Sequence, residues 1–157
     1  MEEERGKTYT QITLYNQLLK EMDDLYRVYA KNCNLSETAF WILYCIRERE
    51  EAFTQREICE YWFYTPQTVN SALKNMTEEG LLTLRAEEGN RKNKRIYLTE
   101  KGKKTVEAIV VPLMDAERRA LAAIGERETE VFLRIMKRHT ELFRGEIEEL
   151  TRQEDPT

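Results

Sequence analysis

The sequence has few of the residues that carry metal binding, cross-linking or catalysis. Its three cysteines, at positions 33, 45 and 59, form neither an even set nor a CxxC pair, so we expect neither a disulfide framework nor a zinc knuckle. The single histidine, His139, has no cysteine or carboxylate at ligand spacing and falls on a predicted apolar helix face, which favours a packed or half-buried side chain. A glycine-rich phosphate loop is also missing. We therefore predict that the protein is not an enzyme and needs no metal or cofactor.

Long hydrophobic runs are missing as well. The longest, from Ala39 to Ile46, is far shorter than the ~20 residues that span a bilayer, and the first ten residues do not form a signal-peptide pattern. A chain of 157 residues, 41% of them hydrophobic, can build the core of one globular domain. We expect a cytoplasmic protein with reduced thiols, in which Cys45 and Cys59 belong to the core. Cys33 is the candidate for exposure, and oxidant sensing by it is the less favoured alternative.

The net charge of -4 conceals two segments of opposite charge. Residues 82–104 contain three acids and eight bases, which are Arg85, Arg91, Lys92, Lys94, Arg95, Lys101, Lys103 and Lys104. Residues 141–157 contain two bases and six acids. Phosphate contacts depend on a local patch of charge and not on the total, so the first segment is a candidate nucleic-acid surface. A solvated face is the commoner explanation of such runs.

Helix starts can be recognised by their capping residues. Apolar residues recur at steps of three and four from Thr10 to Asn32, which predicts one long amphipathic helix. Ser36 is placed to cap the next helix, and Thr54 with Glu57 forms the T-x-x-E pattern of a capping box for a third. These positions predict a mainly helical protein.

Two of the predicted helices form a helix-turn-helix. They cover residues 55–62 and 66–79 and are joined by three residues, with Thr65 as N-cap and Pro66 at the first helical position. Gly80 is suited to the left-handed conformation that follows a helix end. The apolar face of the second helix consists of Val69, Leu73 and Met76. Its polar face consists of Gln67, Asn70, Ser71 and Lys74.

A hairpin and two further helices follow. The segments LLTLR (81–85) and KRIYLT (94–99) are prone to form strands, and they flank a turn that contains Gly-Asn. Thr99 is placed to cap the next helix, in which Pro112 predicts a kink. The apolar rhythm of residues 127–150 predicts a last long helix. The hairpin after a helix-turn-helix is a wing.

A helix-turn-helix with a basic wing has a direct physical use, because a helix fits the major groove and a basic loop reaches phosphates or the adjacent minor groove. The amides of Gln67 and Asn70 are able to pair with adenine, and the hydroxyls of Thr65 and Thr68 can donate to phosphate. The alternative is that these are ordinary polar surface residues. The predicted DNA contacts are Thr65, Pro66, Gln67, Thr68, Asn70, Ser71, Lys74, Arg91, Lys92, Lys94 and Arg95.

The stretches TQREICEYWFYTPQTVNSALKNMTEEGLL and RAEEGNRKNKRIYLTEKGKK resemble the MarR (multiple antibiotic resistance regulator) family, and LTEKG at 98–102 is particularly similar. The resemblance covers residues 36–104. It implies a mainly α protein with a small β-wing that acts as a homodimer, with recognition helices in successive major grooves of a palindromic operator and often a small-molecule effector. As one domain, 1–157, the chain then has dimerisation helices at 10–33 and 100–151 around a DNA-binding winged helix-turn-helix at 36–99.

The sequence departs from the family in the helix-turn-helix and the wing, which together are called the reading head below. Wings of the family usually carry Asp-x-Arg at the tip, where this chain has Asn90, Arg91 and Lys92. Arg91 or Lys92 is the candidate substitute for the minor-groove arginine. An arginine is common where Ser71 stands, so Gln67, Thr68 and Asn70 have to carry more of the base recognition.

Two questions of function stay open at this point. Five aromatic residues lie on the two helices that border the family's effector cleft and are candidates to bind a small aromatic or apolar effector, although core packing explains them equally well. They are Tyr15, Tyr26, Tyr29, Trp41 and Tyr44. A DNA-binding regulator, more often a repressor, is the first hypothesis. The alternative is a winged-helix module for protein assembly, which would lack the steep salt dependence of DNA binding.

Overall fold

The computed structural model describes residues 2–49, 53–87 and 90–153, and it consists of helices with one antiparallel hairpin. The predicted fold, mainly α with a small β-wing, is confirmed. The elements are α1 (Glu2–Asn32), α2 (Glu37–Glu48), α3 (Gln55–Trp62), α4 (Pro66–Glu78), β1 (Leu82–Glu87), β2 (Asn90–Leu98), α5 (Glu100–Thr105), a π-helical turn (Val106–Val110), α6 (Val111–Ile124) and α7 (Glu126–Gln153).

The helix starts are capped by the side chains that the sequence predicted. The backbone N–H of Ala39 donates to the Ser36 hydroxyl at 3.2 Å. Thr54 and Glu57 form the complete capping box, in which the Thr54 N–H donates to the Glu57 carboxylate at 2.7 Å. This bond lowers the pKa of Glu57. Local hydrogen bonds of this kind therefore fix where α2 and α3 begin.

The first helix is longer than predicted, because it begins at Glu2 and not at Thr10. Residues 2–7 lack the apolar rhythm that marks an amphipathic helix, but they include glutamate, arginine and lysine, which extend a helix readily. The last helix likewise exceeds the predicted 127–150 by a few residues at its ends.

The core of the first part of the chain is apolar throughout. None of its buried residues, among those the structure describes, is polar or charged. Val69, Leu73 and Met76 are buried as predicted, which fixes the side of α4 that faces inward. The largest fully buried side chains are Phe40, Ile42, Leu43, Ile58, Met76, Leu82, Ile96, Val69, Val106, Val110 and Cys45.

The two strands of the wing are longer than the strands predicted from the sequence. Pairing runs from Leu82 opposite Leu98 to Glu87 opposite Asn90, with a register shift after Ala86. The strands thus include residues that were predicted to form the turn, and positions 88–89 lie outside the described residues. The Ile96 N–H also donates to the carbonyl of Phe53 at 2.7 Å, which ties the wing to the segment before α3.

The LTEKG segment joins the wing to the end of α4. Thr99 accepts the Gly102 N–H at 3.0 Å as N-cap of α5, and its own hydroxyl donates to the Gly80 carbonyl at 2.6 Å. Lys101 donates to the carbonyl of Glu79 at 2.7 Å. Gly80 has the left-handed conformation predicted for it, with φ of 70°. A Cβ atom at Gly102 would lie 1.9 Å from the carbonyl oxygen of Leu81, so only glycine allows this close packing.

The helix around Pro112 contains a π turn. The Val111 N–H donates to the carbonyl of Val106, five residues back, and α6 continues through Pro112 without a break. Proline has no N–H for the preceding turn and its ring crowds a carbonyl there, so the wider turn next to it accommodates the residue. Tyr29 of α1 donates to the carbonyl of Ile109 within this turn at 2.7 Å. The kink itself stays a prediction.

Contacts divide the chain into two units, one that ends at Pro112 and one that begins at Leu113. Within the second unit, the Thr129 hydroxyl donates to the carbonyl of Leu121 at 3.2 Å across the junction of α6 and α7. His139 was predicted to be packed or half-buried, but it is exposed, because the described residues of this unit leave that side of α7 open to solvent; its ring stacks on that of Phe143, with the centroids 6.0 Å apart. That the whole chain is one domain stays a prediction.

None of the helices in the described part of the chain combines the length and the apolar character needed to cross a membrane.

Candidate nucleic-acid interface

A side-chain hydrogen bond helps to set the geometry of the helix-turn-helix. The amide of Gln55, at the start of α3, donates to the carbonyl of Pro66, the first residue of α4, at 2.8 Å. The connecting residues are Phe63, Tyr64 and Thr65, and the Thr68 N–H donates to the Thr65 hydroxyl at 3.2 Å as the predicted N-cap. The Gln55–Pro66 bond therefore links the starts of α3 and α4, and the Thr65 cap fixes where α4 begins.

The polar face of α4 is exposed along its length. All seven predicted contacts on it are exposed, which are Thr65, Pro66, Gln67, Thr68, Asn70, Ser71 and Lys74. The first turn of α4 contains no acidic residue, so the positive end of the helix dipole is not neutralised there. This face and this helix end suit a ligand with phosphates and hydrogen-bonding edges.

Hydrogen bonds within α4 decide which of these side chains are available. The hydroxyls of Thr65 and Thr68 are 2.8 Å apart and bond to each other, so one proton of the pair remains for an outside acceptor. Ser71 donates to the carbonyl of Gln67 at 3.0 Å. Among the described residues, the amides of Gln67 and Asn70 have no bonding partner. They are the groups best able to read base edges.

The basic side chains of the wing have different surroundings. Lys94 is exposed, whereas Arg95 is half-buried and its charge contributes to the lowered pKa of Glu57, behind the capping bonds. Arg91 and Lys92 have backbone positions in β2, and their side chains lie outside the described residues. Of the two wing bases whose side chains the structure describes, Lys94 is therefore the more accessible to a phosphate.

Two arginines face each other across the hairpin. The Cα atoms of Arg85 and Arg95 are direct partners in the ladder. The Arg85 guanidinium lies 4.9 Å from the centre of the Tyr97 ring. Like charges in this position destabilise a strand pair, and a cation over an aromatic face recovers part of that energy.

A groove of about 600 Å³ runs between α3, α4 and the wing. Pro66, Asn70 and Lys94 all line it, so the groove brings together two of the predicted helix contacts and one predicted wing contact. Cys59 lines the groove too and is half-buried. The prediction that Cys59 belongs to the core is wrong, because α3 turns this side toward the open groove.

The other two cysteines differ from each other in burial. Cys45 is fully buried as predicted, and burial raises the pKa of its thiol to about 11. Cys33, the candidate for exposure, is half-buried. Burial also raises the pKa of Cys59.

Four of the five predicted effector residues lie in one aromatic cluster. The Trp41 ring is 4.8 Å from Tyr26, 5.3 Å from Tyr44 and 4.4 Å from Trp62, and Tyr29 meets Phe40 edge-on at 6.0 Å. Tyr15 is half-buried and lies about three helical turns before Tyr26 on α1.

The cluster is packed ring against ring, so core packing accounts for its members without a ligand. Effector binding stays a prediction. Sequence reasoning missed Trp62, whose ring partners Trp41 and Tyr44 lie on a different helix.

Two residues of the reading head were also missed. Gln55 supports α4 through a bond across eleven residues, for which the sequence contains no local signal. Phe63 is exposed and has a left-handed backbone, and its place as the first of three connecting residues was the available signal. Within the described ranges, no three His, Cys, Asp or Glu residues are grouped to hold a metal ion.

A recognition helix with a polar outer face, supported by a second helix and followed by a hairpin, defines a winged helix-turn-helix protein. Residues 34–92 match the profile of the MarR family. This match confirms the resemblance that the sequence motifs carried and identifies the segment as a member of the MarR family.

The relatives agree with this assignment. The chain is 28% identical over 127 residues to the HTH-type transcriptional regulator YwoH of Bacillus subtilis, covering 76% of this chain and 91% of that one. It superposes on a MarR family regulator from Neisseria meningitidis with a TM-score of 0.76 at 22% identity, covering 88% and 97% of the two chains.

A putative MarR family regulator from Listeria monocytogenes, solved with a 26mer DNA, gives a TM-score of 0.71 at 20% identity and coverage of 93% and 97%. At these identities the solved structures establish the fold. The family match over residues 34–92 supports the prediction of a DNA-binding transcription regulator.

Proposed function

We propose that the protein is a sequence-specific repressor that binds a palindromic operator in double-stranded DNA as a homodimer. In this function α4 enters the major groove and the wing holds the flanking backbone. A small aromatic or apolar effector releases the DNA, and the protein works in the cytoplasm.

One observation carries the proposal. The free amides of Gln67 and Asn70 lie on the outward face of a helix whose opposite face is locked into the core by Val69, Leu73 and Met76. A rigid helix that presents amides is suited to bidentate pairing with adenine. The Listeria relative solved with DNA supports the same use of the fold.

The homodimer is supported by two apolar helix faces. On α1, Ile12, Leu18, Met22 and Leu25 are each about half exposed or more, and on α7 the same holds for Ile135, Phe143 and Leu150. Exposed apolar surface of this extent marks an association surface. Tyr15 and Leu19 on α1, with Ile135 and Phe143 on α7, are the proposed contacts. A symmetric dimer places two recognition helices on one duplex, which is the reason to expect a palindrome.

The test is selection of duplexes from a random pool by the purified protein, followed by footprinting. A palindromic consensus with a protected site supports the proposal. Binding should also weaken steeply with salt, because each phosphate contact contributes a slope of about 0.9 in log affinity against log salt. Arg91→Ala and Lys92→Ala should each make that slope shallower. Enrichment of no sequence and a flat salt response would instead favour the assembly module.

A further inference from the structure

Phe63 has an unusual degree of exposure. Its side chain is 88% exposed, more than any other large apolar side chain in the described residues. Among those residues, the ring has no aromatic or cationic partner. A phenyl group that stays in water does not contribute the favourable free energy that its burial would add to folding. The packing of the chain therefore gives no reason for an aromatic residue at this position.

The backbone of Phe63 adds a second cost. Its φ of 54° and ψ of 32° are left-handed, a conformation that side chains other than Gly, Asn and Asp rarely adopt. The position is fixed, because the N–H groups of Phe63 and Tyr64 both donate to the carbonyl of Cys59. Residues that hold strain without a local benefit occur most often at functional sites.

The neighbours of Phe63 hold the turn rigid. Trp62 packs into the aromatic cluster, 4.4 Å from Trp41. Tyr64 is half-buried, burial raises the pKa of its phenol, and its hydroxyl bonds to Thr38. Both flanking rings are thus turned inward while Phe63 is held in solvent. A side chain that is ordered before binding loses little further freedom when it meets a partner.

The place of Phe63 in the reading head suggests the partner. It lies two residues before Thr65, the N-cap of α4, whose first turn would enter the major groove. The one apolar group that base edges present in that groove is the 5-methyl of thymine, which phenylalanine is able to contact. We propose that Phe63 packs against a thymine methyl group at the edge of the major groove and selects thymine there. This inference rests on the proposed function.

The experiment uses the full-length protein and the duplex selected above. Phe63→Gly and Phe63→Asn both suit the left-handed backbone, so the melting temperature should be unchanged or higher. Each should weaken binding to the selected duplex by about tenfold. Deoxyuridine in place of one particular thymine removes only the methyl group and should lower the affinity of the wild type about fourfold. The affinity of Phe63→Gly should be the same for the duplexes with thymine and with deoxyuridine at that position.

Asn34→Gly is the matched control, since Asn34 is an exposed residue outside the helix-turn-helix with the same left-handed backbone, φ of 57°, and the change should leave binding unchanged. Phe63→Leu, which remains apolar, should keep most of the affinity. Equal binding by Phe63→Gly and wild type would overturn the proposal, as would a loss that no uracil substitution in the wild type reproduces. If Asn70→Ala also binds normally, the proposed function fails as well, which separates the two outcomes.

Discussion

At the scale of single residues, the two free amides on α4 should carry the sequence preference. Asn70→Ala and Gln67→Ala are each expected to weaken binding to the selected duplex by about 1–3 kcal/mol, because a bidentate pair with a base is lost, and to leave binding to random DNA nearly unchanged. Competition binding with both duplexes measures the difference.

Asn75→Ala is the control for these variants. Asn75 is an exposed residue of the same type on α4, five positions after Asn70 and so rotated by about 140° from it around the helix axis. If Asn75→Ala relaxes the preference as much as Asn70→Ala does, the assignment of the reading face is wrong.

The three thiols should react at different rates with the same reagent at the same pH. Burial raises the pKa of Cys45 to about 11, so at any pH below that value a smaller fraction of it is thiolate than of a thiol with an ordinary pKa. Its buried side chain is also inaccessible to reagents. At about pH 8, near the ordinary pKa of a thiol, Cys33 and Cys59 should react with a disulfide reagent before Cys45 does. Mass spectrometry of the labelled protein identifies the order.

Mild peroxide should leave DNA affinity unchanged if none of these thiols is a sensor. Loss of DNA from the wild type under peroxide, with retention by Cys33→Ser, would show that Cys33 senses oxidants after all.

At the scale of elements, the contact between α5 and the end of α4 depends on Gly102. In Gly102→Ala the new Cβ would meet the Leu81 carbonyl at 1.9 Å and the Leu98 side chain at 3.1 Å, so the backbone has to move. We expect a loss of roughly 3 kcal/mol or more in the free energy of unfolding. Denaturant unfolding followed by circular dichroism measures it.

Gly145→Ala is the matched substitution in α7, where a Cβ has open space. It should stabilise the protein by about 0.5–1 kcal/mol, because alanine favours helix and glycine does not. Similar effects of the two substitutions would contradict the structural account of Gly102.

Helix starts were predictable because a cap depends on residues that are close in sequence. Thr54 with Glu57, and Thr65 before Pro66, are complete within a few positions. The strand ends were not predictable, since whether Glu87 pairs with Asn90 depends on both strands at once. The same distinction holds for the reading head. The polar face of α4 could be predicted from the helical period of its polar residues. The half-burial of Cys59 and the bond from Gln55 to Pro66 could not, because they depend on how separate elements are placed.

At the scale of the whole molecule, the exposed apolar faces of α1 and α7 should be covered by a second copy. Light scattering at low micromolar concentration should give twice the 18.7 kDa mass of the chain. Ile135→Glu, which places a charge among apolar residues of α7, should shift the protein toward monomer and weaken operator binding with it. Asn70→Ala should remain a dimer. A stable, soluble wild-type monomer would contradict the assembly.

We expect the opposed Arg85 and Arg95 of the wing to respond to ionic strength in opposite ways in the free protein and in the proposed DNA complex. In the free protein, dissolved ions screen the repulsion between the two guanidinium groups, so added salt should favour the pairing of the strands. In the proposed complex, nearby phosphates offset the same repulsion, and added salt competes with them. DNA binding is therefore expected to tighten the hairpin.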